Sequence, residues 1–157
     1  MRNVLFAAAF VGLITPALAQ EENAMTMEQA PQAAKDAAMS HANGVTFDTV
    51  QMDDDEGTDT YEFGGKMANG MALEVDVLAD GTLEEIEEEI AVGDVPPEVM
   101  ATLSKNLAGF APAMAEKSTR PDNLVVYEFE GTHDGKEIDV EINADGSNYT
   151  MVDDAAG

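Results

Sequence analysis

Cysteine and tryptophan are both absent from the 157-residue chain, and lysine and arginine together number 7 against 32 aspartates and glutamates. Without cysteine there is no thiol nucleophile, no thiolate zinc site and no iron–sulfur ligation. An oxidising compartment is still allowed, because it permits disulfides without requiring them. The formal net charge of −25 repels phosphate backbones and anionic lipid headgroups, so nucleic acid is excluded as a partner. Such a surface instead attracts divalent cations or a basic protein surface, and it also serves plain solubility in a salty medium. With only 2 histidines, acid–base and metal chemistry have little to start from. His41 falls on a helical stripe of alanines and His133 in a turn beside Asp134-Gly135, so both read as packed or solvated residues. No HExxH motif, GxSxG elbow, phosphate loop or dinucleotide fingerprint occurs.

Long apolar runs are missing too, except at the start. Arg2 precedes an apolar run over residues 4–14, and Ala17-Leu18-Ala19 supplies a small-x-small site. This is the pattern of a secretory signal cut before Gln20. The run is shorter than the roughly 18 residues a membrane span requires. Residues 1–19 are therefore expected to be a cleaved signal peptide and residues 20–27 a flexible arm, giving a periplasmic or secreted protein without membrane insertion.

What remains says nearly the same thing twice. Residues 61–81 (YEFGGKMANGMALEVDVLADG) and 127–146 (YEFEGTHDGKEIDVEINADG) share Tyr-Glu-Phe, a glycine-bearing turn, an alternating strand and a closing Ala-Asp-Gly. Upstream, Pro31 opens one helix-like stretch and Pro97 another, at the spacing that separates Tyr61 from Tyr127. In the first helix Ala33, Ala37 and His41 are spaced by four, with Ala34 and Ala38 beside them. The second carries Val99, Leu103 and Leu107. The expected architecture is α+β: two tandem units, residues 28–92 and 93–154, each a helix followed by a three- to four-stranded antiparallel sheet. Units of that size are marginal alone and are expected to pack together. Residues 82–90 (TLEEIEEEI) are ambiguous, because Leu83, Ile86 and Ile90 suit a helix while the preceding Asp-Gly turn and the repeat favour a strand. A strand is expected.

Among candidate sites, residues 53–56 (Asp53, Asp54, Asp55, Glu56), extended by Asp59, could offer several oxygens to a hard cation such as calcium. The run departs from the EF-hand pattern, since its glycine falls at the fifth position. No metal or cofactor site is assigned. Glu84, Glu85, Glu87, Glu88 and Glu89 are expected to be an exposed, uniformly ionised surface, because paired carboxylates do acid–base work only where their environments differ. The ten methionines are scattered and read as core filler rather than copper ligands.

Tyr61-Glu62-Phe63, Leu73-Glu74-Val75-Asp76-Val77 and the run from Ala79-Asp80-Gly81 through residue 90 resemble the PepSY and PepSY-like domains of exported bacterial proteins. Tandem copies of that superfamily resemble the β-lactamase inhibitor protein (BLIP) fold. The second copy departs from the pattern after its turn, where it has Ser147-Asn148-Tyr149-Thr150-Met151. The resemblance implies a noncatalytic module that binds or restrains a peptidase or another envelope protein, with no catalytic residues to carry over. The alternative is an acidic envelope protein that binds divalent cations without a specific protein partner. The copies differ most between Asp53, Asp54, Asp55, Glu56 and Asp59 in one and the turn at Arg120 in the other. These are the candidate partner-binding loops.

Overall fold

The computed structural model describes residues 24–55 and 58–153; the expected signal peptide lies outside them. Helix α1 (Gln32–His41) leads into strands β1 (Phe47–Asp55), β2 (Thr58–Lys66), β3 (Ala72–Leu78) and β4 (Leu83–Ala91). Helix α2 (Pro97–Asn106) leads into β5 (Met114–Arg120), β6 (Leu124–His133), β7 (Lys136–Asn143) and β8 (Thr150–Asp153). All eight strands form one sheet in chain order, each antiparallel to the next.

This overturns the expectation of an α+β pair of units that each own a sheet. The protein is mostly β, with a single eight-stranded sheet and two helices. β4 and β5 pair from Ile86↔Thr119 to Ala91↔Met114, so the strands that follow α1 and those that follow α2 join edge to edge. The physical reason is the edge itself. Two four-stranded sheets would leave β4 and β5 each with a row of unsatisfied amides and carbonyls, and pairing them removes both rows. At the outer edge of β1, Ala24 bridges to Gln51 and Met25 N donates to Val50 O.

Each 10-residue helix is too short to persist alone and is held by an apolar stripe against the sheet. In α1 the stripe is Ala34 and Ala38, continued by Ala30 before the helix and Ala42 after it, packed on Phe47, Val50, Tyr61, Phe63, Leu73, Val75 and Val77. It is turned one residue from the expected line: Ala33 is exposed and His41 half-buried. In α2, Val99 and Leu103, with Leu107 just past its end, pack on Ala115, Tyr127, Phe129, Ile138, Val140 and Ile142. Alanine on α1 lets large strand residues fill the space, whereas α2 carries the bulk itself.

The repeated Ala-Asp-Gly has a joint cause in turn and packing. Asp80 Oδ1 accepts from Thr82 N, and Asp145 Oδ1 accepts from Ser147 N, each at 2.9 Å. Gly81 and Gly146 follow at φ +87° and +78°, where a side chain is strained. A Cβ at either would also come within 2.8 Å of Ala33 O or 2.9 Å of Glu98 O. Each turn thus docks directly on the first turn of its helix.

β4 carries one extra residue against β3. Asp76 pairs with Glu85, yet Val77 pairs with Leu83, so Glu84 is the surplus. This bulge explains the ambiguity of residues 82–90, because Leu83 and Ile86 face the same core three residues apart within a strand.

Candidate functional site

Because side chains alternate across a strand, the register that turns Val75, Val77, Ile86, Tyr127, Phe129, Val140 and Ile142 toward the helices turns carboxylates to the other face. Straight across the sheet, Glu62 stands opposite Asp76, and Asp76 opposite Glu85. One step along, Glu74 stands opposite Glu87, and Glu87 opposite Ser118. A third row runs Glu89, Glu116, Glu128, Glu141. Like charges directly opposite one another oppose strand pairing. The helix-free face concentrates such pairs.

Several of these groups are buried. Asp76 is 2% exposed, Glu85 1%, Glu87 6% and Glu128 3%, alongside the fully buried Ser118. Arg120, at the end of β5, sits among them. Its Nε donates to Glu85 Oε2 at 3.0 Å, and its Nη2 to Glu128 Oε1 at 2.8 Å and Glu141 Oε1 at 2.9 Å. Ser118 Oγ donates to the other oxygen of Glu85. One planar guanidinium therefore clamps three carboxylates from three strands, a geometry lysine cannot reproduce. Burial works against the Arg120 charge, but its hydrogen bonds to Glu141 and Glu85 and the charge of Glu85 outweigh it and raise its pKa.

Even so, the carboxylates of this face are short of positive charge. Burial, then the charge of Asp53, pushes Glu62 up to about 7. Burial and the charges of Glu62, Glu116 and Glu85 bring Glu74 to about 7. Glu128 reaches about 9 through burial and the charges of Glu85 and Glu141, which Arg120 only partly offsets. Asp76 and Glu87 are raised well above the ordinary carboxylate range, burial again being the main cause. Burial, followed by the charges of Glu89, Asp139 and Glu85, also raises Glu116. The oxygens Asp76 Oδ1 and Glu87 Oε1 are buried and have no hydrogen-bond partner.

This corrects the expectation of an exposed, equivalent run from Glu84 to Glu89. Glu85 and Glu87 are buried on the open face, whereas Glu88 points to the helix side, where Lys117 Nζ reaches its Oε2 at 2.7 Å. Thr60 Oγ1 donates to Glu84 and Ala72 N to Glu89. Alternation could be read from the sequence, but the burial of the wet face could not, because it depends on which large side chains stand beside each carboxylate in neighbouring strands.

The acidic run lies on the β1–β2 hairpin rather than in a free loop. Asp53 pairs with Thr60, Asp54 with Asp59 and Asp55 with Thr58, while Glu56 lies outside the described residues. Asp59 is exposed and Asp53 half-buried. Arg120 is separated from this hairpin by β3 and β4, so the two candidate loops are not brought together. The histidines are apart as well: His41 ends α1, and His133 ends β6 with its ring edge-on to Phe110 at 6.1 Å. Sequence reasoning missed Glu74, Asp76, Glu87 and Glu128. Their available signal was the coincidence of the sole arginine after Arg2 with strands whose outward positions are nearly all acidic.

Where residues 110–113 enter β5, a cleft of about 640 Å³ opens between Phe110, Pro112 and Met114 on one side and Glu116, Glu128 and Asp139 on the other. No helix among the described residues is long and apolar enough to cross a membrane.

No family model matches the sequence, and no curated protein does. Solved structures share the fold. A DUF2874 family protein from Bacteroides ovatus superposes with a TM-score of 0.64 at 12% identity, over 80% of this chain and 88% of that one. A protein assigned provisionally to the periplasm of Bacteroides eggerthii gives 0.63 at 12% identity, over 82% and 93%. A BLIP-like protein from Bacteroides fragilis gives 0.59 at 20% identity, over 82% and 89%. The chain thus has a BLIP-like fold.

Proposed function

We propose that this is an exported, noncatalytic binding module whose open sheet face receives a basic surface of a protein partner, with a peptidase of the cell envelope as the leading class. Residues 1–19 are its cleaved signal, and residues 28–92 and 93–154 its two copies. The observation that carries the reading is the helix-free face, where carboxylates stand opposite one another across β2 to β7 with a single guanidinium among them. Repulsion of this kind destabilises the sheet by itself, and sequences violate local rules of this sort chiefly where function requires it. A lysine or arginine from outside relieves it. The cleft beside β5 suits such a side chain, with apolar walls for the aliphatic stem and carboxylates for the charged head. The hairpin bearing Asp53 and Asp59 extends the acidic field and speeds encounter. The neighbours of the same fold, one BLIP-like and one assigned to the periplasm, agree with this reading.

The test is a pull-down from an envelope extract of the producing cell with residues 20–157, at low and high salt. A second bait carries Glu116→Gln and Glu130→Gln, two carboxylates that line the cleft. Retention at low salt of a peptidase that the chain then inhibits, released by salt and lost with the second bait, is the expected result. Retention of nothing, or equal retention by both baits, overturns the reading.

A further inference from the structure

We infer that Glu74, Asp76 and Glu87 form a binding site for one hard divalent cation, of the calcium and magnesium class, on the open face of β3 and β4. One carboxylate oxygen from each of the three lies within 4.8 Å of the others. Ligands on opposite sides of a calcium ion, each about 2.4 Å from it, stand about that far apart. Two of the three oxygens' owners are buried, and Asp76 Oδ1 and Glu87 Oε1 lack any hydrogen-bond partner. A buried polar atom left unpaired is costly, and a charged one more so. Two such orphaned oxygens, carried by members of one close-set trio, are what a bound cation satisfies.

A second trio, Glu85, Glu87 and Glu128, is equally close-set. Its Glu85 and Glu128 are already held by Arg120, and the other Glu85 oxygen accepts from Ser118. Glu87 belongs to both trios, so the unpartnered oxygen of Asp76, which only the first contains, decides for the one that Arg120 does not serve. Glu62 on β2 and Glu84 on β4 flank this trio and add to its negative field; Glu116 on β5 and Glu128 on β6 face Glu87. The donor set is all oxygen, with no imidazole among the three and no thiolate anywhere in the chain. That selects hard cations over zinc or copper. The site differs from the acidic hairpin at Asp53 in being buried and convergent, and it does not depend on the existence of a protein partner.

The experiment is calorimetric titration of residues 20–157, stripped with EDTA, with calcium chloride and separately with magnesium chloride, at pH 8 and constant ionic strength. Melting curves are recorded alongside. One cation per chain and a saturable rise of several degrees in Tm are expected for at least one of the two ions. The double variant Asp76→Asn, Glu87→Gln should lose the heat and the Tm rise. Glu74→Gln, at a less buried position, should weaken binding at least tenfold. Asp53→Asn with Asp59→Asn should leave the affinity unchanged. Absence of saturable heat with both ions, or undiminished affinity in Glu74→Gln, overturns the inference.

Discussion

Arg120 is the residue on which most depends. Its side chain meets Glu85, Glu128 and Glu141 at once, and two of those glutamates are almost fully buried. Breaking a buried ion pair by removing one partner costs about 3–5 kcal/mol, since it leaves an uncompensated charge. Arg120→Ala should therefore lose about 3 kcal/mol in urea unfolding at neutral pH. Arg120→Lys should recover only part, because an ammonium cannot present the same fork of donors. The importance of this position was half visible in the chain. The sole arginine after Arg2 in so acidic a sequence marks a charge with work to do, and the sequence places it in one of the two candidate loops. Its partners were not visible, because Glu85 comes from β4, which meets β5 only where the two halves of the sheet join, and Glu128 and Glu141 come from β6 and β7, whose register against Arg120 nothing local announces.

At the scale of elements, the turns were the most legible part. An Asp-Gly pair after an alternating strand implies positive φ, and both pairs are hairpin turns. The contact of each turn with its helix was not legible, since nothing local announces that Gly146 lies under Glu98. The two effects can be separated. Gly135 has φ +80° with nothing within 4 Å of where a Cβ would sit, whereas at Gly146 a Cβ would come to 2.9 Å of Glu98 O. Gly135→Ala should cost about 1 kcal/mol, the expense of the left-handed conformation alone. Gly146→Ala should cost about 2–3 kcal/mol, because α2 must also shift from its seat on β7. Paired denaturation curves check the difference, and equal costs would show that the turn does not anchor the helix. The bulge in β4 shows the limit of period-counting. One surplus residue turned a strand's spacing into that of a helix, and the repeat register was the better guide.

For the molecule as a whole, local elements could be read twice over, but their assembly could not. Strand–strand pairing between β4 and β5 leaves no mark in either strand, since any two edges can pair. The consequence is a face on which the acidic positions of six strands, β2 to β7, converge, and it gives the protein an unusual response to pH. A carboxylate whose pKa is raised by folding holds, in the folded state, a proton that the unfolded chain has already released. Stability from that group is full below about 4.5 and falls as pH rises, through about 7 for Glu62 and Glu74 and about 9 for Glu128. Many proteins behave oppositely over the acid half of this range, because their paired carboxylates have lowered pKa values. Unfolding by urea of residues 20–157, with EDTA present and ionic strength fixed, followed from pH 5 to pH 9, tests the central claim that this face is starved of positive charge. A midpoint that declines steadily across that range is the predicted result. A midpoint that stays level or climbs would contradict it.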